Sequence, residues 1–207
     1  MAKGTDGQEV NLVKLMLLGD SAVGKSSLLV RFCEDSFPDD EKFFVTIGMD
    51  FKTKTIRRNG RNLRVDVWDT AGQEQFKSIT PAFYRSAMGV LFCFDITEKT
   101  SFEHVEDWLA SLAKYNGPDV PKVLVANKVD LHDRRIIDEA GAREFAEKHG
   151  MTVFETSAKT GVGVEEAFVH LAGIVADLRY KDSNQPVASG GGVNLSDKKG
   201  SKKSCAC

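Results

Sequence analysis

The chain has 207 residues, a formal net charge of −2, and 42% hydrophobic and 28% charged residues. That is enough for one domain with a full core, in the composition of an ordinary soluble globule. The balanced charge argues against a general nucleic-acid binder, and no apolar run approaches the ~20 residues of a membrane span.

Residues 1–10 read as a loose leader without the apolar core of a signal peptide. Ala2 stands where N-myristoylation needs glycine, so the expectation is a protein made and kept in the cytosol. Leu12 to Leu18 is nearly all apolar, which predicts a first strand over 11–18; a helix follows at about 25–34. Asp35 to Gly48 has no clean period and carries Pro38 and an acidic cluster, so it reads as a long surface loop. Two strands follow, 49–57 and 62–68, joined at Asn59-Gly60 as a hairpin. In the second, Leu63, Val65 and Val67 alternate with Arg64, Asp66 and Trp68, which predicts Trp68 on the polar face as a partner contact. After a loop over 69–81 come a short helix at 82–87 and a buried strand from Gly89 to Asp95. Thr100 to Glu103 reads as a capping box, with Phe102, Val105, Leu109 and Leu112 repeating at helical spacing behind it. Val123 to Ala126 and Thr152 to Glu155 read as strands and 138–148 as a helix. The last helix carries Val164, Phe168, Leu171, Val175 and Leu178 on one face. Cys33 and Cys93 lie in apolar surroundings and are expected to be reduced core residues.

The alternation predicts an α/β domain over 11–180: a mostly parallel six-stranded sheet with one antiparallel edge strand and helices on both faces. In such sheets ligands bind at the C-terminal ends of the strands, and the motifs lie in the loops that open there.

Gly19-Asp20-Ser21-Ala22-Val23-Gly24-Lys25-Ser26 fits G-x-x-x-x-G-K-[ST], the phosphate-binding loop of P-loop NTPases. By chance the pattern arises in roughly one chain in a hundred of this length. Here it stands between a strand and a helix, as the chemistry requires: glycines curl the backbone into an anion nest, and the helix adds its positive N-terminal end. Lys25 reaches the β- and γ-phosphates, and the Ser26 hydroxyl is a Mg²⁺ ligand. Asp69-Thr70-Ala71-Gly72-Gln73 follows the third strand. Asp69 is placed to hold Mg²⁺ through water, Gly72 to approach a terminal phosphate, and Gln73 either to position an attacking water or simply to be a solvated loop residue. In Asn127-Lys128-Val129-Asp130, a carboxylate accepts two bonds from the N1 and N2 edge of guanine; adenine would leave it unpaired. Asn127 serves the O6/N7 side, the Lys128 stem lies along the ring, and Ser157-Ala158-Lys159 offers a backbone N–H to the base. An ATP-using P-loop enzyme, in which Asp130 plays no part in base choice, and a nucleotide-locked binding module are the competing readings.

Gly19 to Ser26, Trp68 to Glu74, Asn127 to Asp130 and Glu155 to Lys159 resemble the motifs of the Ras-like small GTPases in order and spacing. Thr46 to Lys52, Phe76 to Thr80, Phe83 to Ala87 and Phe94 to Thr97 are similar to Rab-family signatures, and the likeness covers about residues 10–180. The resemblance implies a GTP/GDP switch that hydrolyses GTP with Mg²⁺ and recruits effectors in vesicle and membrane traffic. It implies nucleotide contacts from Ser21, Ala22, Val23, Gly24, Lys25, Ser26, Ser27, Phe37, Thr46, Gly72, Asn127, Lys128, Asp130, Ser157, Ala158 and Lys159. Mg²⁺ would take Ser26, Thr46 and Asp69, catalysis Gln73 and Lys25, and effectors the aromatic triad Phe51, Trp68 and Phe83. Phe37 stands nine residues before Thr46 where the family has seven, Gln75 replaces the usual arginine, Ser86 the usual glycine, and Phe83 the commoner tyrosine. The implied partners are an exchange factor, a GAP, effectors, a Rab escort protein and a GDP-dissociation inhibitor, around a monomer. Ser78, in the second switch, is a candidate for phosphorylation that would weaken partner binding.

From Lys181 the periodicity stops, and Gly190-Gly191-Gly192, serines and Lys198, Lys199, Lys202 and Lys203 follow. This is a flexible linker with an r.m.s. span of roughly 25–30 Å. Cys205 and Cys207 close the chain; Cys-Ala-Cys is not a C-a-a-X box, and its reading as a double-prenylation signal rests on the Rab resemblance. Two lipids hold a membrane where one does not, so the expected location is cytosol plus a cytoplasmic membrane face.

Overall fold

The computed structural model describes residues 10–37, 49–70 and 80–180. Strand β1 (Val10–Leu18) leads to helix α1 (Lys25–Glu34), then to β2 (Met49–Arg58) and β3 (Arg61–Thr70). Next come α2 (Thr80–Ser86), β4 (Gly89–Asp95), α3 (Lys99–Glu103), α4 (Val105–Asn116) and β5 (Lys122–Asn127). A short 3-10 helix (Val129–Arg134), α5 (Glu139–Lys148), β6 (Thr152–Glu155) and α6 (Val164–Arg179) complete the order. No described helix is long and apolar enough to cross a membrane.

The six strands form one sheet in the order β2-β3-β1-β4-β5-β6. β2 pairs antiparallel with β3, and every other pair is parallel. The expected architecture is therefore the observed one. Parity divides the core. Val13, Leu15 and Leu17 face one cluster with Leu28, Phe32, Phe168 and Leu171; Met16 and Leu18 face the other with Phe92, Phe94, Tyr84 and Leu112. Both faces of the central strands are covered, which is why they read as continuous apolar runs. Phe32 of α1 stacks on Phe168 of α6 with ring centroids 4.3 Å apart, tying two helices on one face.

Several local readings need correction. Thr100–Glu103 is not the cap: Glu98 is the N-cap of α3, accepting from the Thr100 N–H at 3.3 Å. The Ser101 hydroxyl instead donates to the Glu98 carbonyl and accepts from the Asp95 N–H, fastening the helix start to the end of β4. The helical repeat is also broken into α3 and α4 at His104. Leu178 is 57% exposed rather than on the buried stripe. Trp68 is half-buried rather than outward and open, because α2 covers that face of β3 with Phe83. Asp66, on the same polar parity, is buried and accepts from Thr53 and Arg64. Cys93 is buried and Cys33 half-buried, both with free thiols; burial pushes the Cys93 thiol up to about 12.

Candidate nucleotide site

Parallel pairing brings the carboxyl ends of the strands into line. Leu17 is level with Asp69, and Asp95 with Asn127. The described parts of the loops leaving these ends share one edge of the sheet, and the motif residues they carry meet there.

The loop after β1 turns through left-handed backbone at Ala22 (φ 63) and Gly24 (φ 98). Gly19, also at positive φ (146), lies against the Cys93 carbonyl, and a Cβ there would collide with it. Gly24 is the N-cap of α1, and a Cβ on it would strike the Asn127 amide. Glycine is thus required at both ends of the loop. Lys25 is only 5% exposed and reaches back over the loop, its Nζ donating to the Gly19 and Asp20 carbonyls at 2.8 and 2.7 Å. Burial lowers its pKa from the ordinary lysine value, against the opposing charges of Asp69 and Asp20. An ammonium resting on backbone carbonyls is poised to exchange them for phosphate oxygens.

Ser26, in the first turn of α1, donates its hydroxyl hydrogen to the Asp69 carboxylate. Asp69 is fully buried at the end of β3, and next to it Thr70 donates its hydroxyl to the Leu17 carbonyl at 2.9 Å. Two hard oxygen donors, a hydroxyl and a carboxylate, meet beside the lysine. That donor set fits Mg²⁺, which holds few protein ligands and keeps waters and phosphate oxygens. Among the described residues no group of three His, Cys, Asp or Glu side chains competes with it as a metal site.

The loops after β5 and β6 are braced as one unit. Asn127, 1% exposed, donates from Nδ2 to the Val23 carbonyl at 2.8 Å and accepts from the Thr156 hydroxyl at 3.2 Å. Its amide therefore joins the phosphate loop to the end of β6, with one N–H left for a base. Lys128 adopts left-handed backbone (φ 68) and donates from Nζ to the Ala22 carbonyl at 2.8 Å. The same ammonium pairs with Asp95 at 2.7 Å. Burial alone would raise the Asp95 carboxyl, but hydrogen bonds from Lys128 and Thr97 hold it below the usual range. Two non-glycine residues in strained backbone, Ala22 and Lys128, are thus tied to each other, a pattern found at functional sites. Ser157 donates its hydroxyl to Asp130 at 2.6 Å and fixes that carboxylate. The Ser157 N–H is taken by the Val162 carbonyl, so a base would look to the N–H groups beyond it.

Three of these braces were not among the expected site residues. Arg31, late in α1, donates to the Ala158 and Lys159 carbonyls at 2.8 and 2.9 Å. Thr156 and Asp95 act on Asn127 and Lys128 as described. Asp95 lies in the segment from Phe94 to Thr97 and Thr156 in that from Glu155 to Lys159, but no local pattern marks Arg31. Phe37 is half-buried and packed against the core. The triad is assembled: Phe51 and Phe83 meet Trp68 edge-on at centroid distances of 6.3 and 4.7 Å, with Phe51 49% exposed. Thr46, Gly72, Gln73, Gln75, Ser78, Cys205 and Cys207 lie outside the described residues.

A model of the Ras family matches residues 14–177. The chain belongs to the Ras family. Within it, the chain is similar to the Ras-related protein Rab-8B of Dictyostelium discoideum, at 42% identity over 84% of this chain and 85% of that one. It is 41% identical to the GTP-binding protein ypt2 of Schizosaccharomyces pombe over 94% and 96% of the two chains. It is 42% identical to the Ras-related protein Rab-13 of Rattus norvegicus over 98% of each. This member of the Ras family is thus a Rab-like small GTPase, a GTP hydrolase whose role lies in vesicle trafficking and which works through regulators and effectors.

Proposed function

We propose that the loops after β1, β5 and β6, with the end of β3, hold GTP or GDP and read the guanine base. The observation that carries this reading is the pair of bonds Asn127 to Val23 and Ser157 to Asp130, which set a base-reading carboxylate at a fixed place relative to the phosphate loop. The nest from Ser21 to Ser27 takes the phosphates, and Lys25 leaves its carbonyls for them and stabilises charge that develops on the γ-phosphoryl group. Asp130 accepts from N1 and N2 of guanine; Asn127, Lys128 and the segment from Ser157 to Lys159 frame the ring, and Phe37 covers it. Ser26 and Asp69, with Thr46, would hold Mg²⁺, which supplies charge neutralisation at the phosphates when bound.

Gln73 orients the water that attacks the γ-phosphate, and Thr46 and Gly72 sense whether that group is present. Turnover without a partner is slow, since the motifs contain no arginine finger, so a GAP completes the site. Phe51, Trp68 and Phe83 form the effector surface. The segment 181–207 is a tether, lipidated at Cys205 and Cys207, that holds the protein on a cytoplasmic membrane face; an escort protein and a GDP-dissociation inhibitor serve the lipidated form. Competition between GDP and ADP for the purified chain tests the base reading. GDP should win by several orders of magnitude, and Asp130→Asn should remove most of that preference. Equal affinity for the two nucleotides would contradict it.

A further inference from the structure

Asp20 lies inside the phosphate loop, yet its side chain serves none of the phosphate, metal or base roles. Its backbone carbonyl accepts from the Lys25 ammonium at 2.7 Å. Its carboxylate points the other way, to α4. One oxygen meets His104 Nδ1 at 2.6 Å, and the other accepts from the Trp108 indole N–H at 2.9 Å. His104 and Trp108 are four residues apart, so one helix face presents both rings to one carboxylate. His104 also sits at the break between α3 and α4, where its N–H closes α3 onto the Thr100 carbonyl and its carbonyl starts α4.

The phosphate loop collects positive potential for an anionic ligand, and a carboxylate within it opposes that purpose. Holding the carboxylate on α4 keeps it off the phosphates, and an imidazolium beside it offsets its charge. We propose that His104 and Trp108 are positioning residues that clamp Asp20 to α4 and thereby slow the release of nucleotide from the loop. The inference rests on the reading of residues 19–26 as the phosphate site. His104 is 47% exposed at its side chain and the Asp20 side chain 25%, so protons reach the contact.

The charges around His104 are Asp20 from the loop, Glu103 from α3 and Asp107 from α4, all negative; Lys99 is engaged with Glu103 at 2.8 Å. The hydrogen bond to Asp20, and then its charge, raise the His104 pKa above the ordinary histidine value. The charged part of the clamp is therefore complete below about pH 6.5 and is lost as pH rises through the raised value. Above it a neutral ring still donates from Nδ1, so the clamp weakens without opening.

The test is the release rate of a fluorescent GDP analogue from the full chain between about pH 6 and pH 8. Wild type should release more slowly at the acid end. His104→Asn should release about three- to tenfold faster at the acid end and lose most of the pH slope. Trp108→Phe should release faster while keeping the slope. In an Asp20→Asn background, His104→Asn should add nothing further, a coupling that general loosening of α4 would not produce. Should a His104 variant fold poorly, Trp108→Phe and Asp20→Asn carry the test, since Asp20→Asn alone should abolish the slope. Wild type that holds GDP, with variants matching it in rate and slope, overturns the clamp alone. Wild type that retains no GDP at any pH overturns the phosphate-site reading and the clamp with it.

Discussion

At the scale of single residues, the site depends on side chains that join loops as much as on those that would touch nucleotide. Asn127 is the clearest case. Its amide is buried and holds the phosphate loop to the end of β6 through Val23 and Thr156. Asn127→Ala would leave the Val23 carbonyl and the Thr156 hydroxyl without their partner in the interior, at a cost of about 2–3 kcal/mol. Urea unfolding of the nucleotide-free protein should show that loss, and GDP affinity should fall with it. A change below ~0.5 kcal/mol would mean the amide is not a brace. The motif itself was readable, because Asn-Lys-x-Asp after a strand carries its own chemistry. The bracing was not, because its acceptor is a backbone carbonyl more than a hundred residues earlier, and a carbonyl leaves no mark in the sequence.

At the scale of elements, the strands and most helices were legible for simple reasons. Central strands covered on both faces read as apolar runs, and Asn59-Gly60 marks the hairpin of β2 and β3. Structure and local pattern differ where a neighbouring element takes over a group that the pattern assigns to its own segment. Ser101 bonds to the end of β4 instead of completing a capping box. Trp68 has the parity of an open face, but α2 covers it. Arg31 shows the same limit in the site: it looks like an exposed helical arginine, yet its guanidinium carries the loop after β6. Arg31→Ala should loosen that loop and weaken guanine-nucleotide binding about tenfold while moving the melting temperature little. Arg31→Lys should not restore it, since an ammonium cannot match a planar fork across two carbonyls. Full recovery with lysine would show that charge alone suffices.

At the scale of the whole molecule, the proposed function divides between two regions. The sheet and its loops make the nucleotide switch, and the lysine-rich segment ending in Cys205-Ala206-Cys207 supplies the proposed address. Two lipids would hold a membrane stably, with nearby lysines adding roughly 1 kcal/mol each at an anionic surface. Replacing both terminal cysteines with serine should leave nucleotide binding intact and move the protein from the membrane pellet to the soluble fraction. Unchanged pelleting would break the link between the tail and the membrane.

The most direct test of the central claim is single-turnover hydrolysis by the purified protein with GTP and with ATP, in wild type and in Gln73→Leu. Wild type should cleave GTP slowly and ATP not at all, and Gln73→Leu should slow GTP cleavage about 10²-fold if Gln73 positions the water. Cleavage of ATP at the same rate, or GTP bound and never cleaved even with a GAP present, would contradict it.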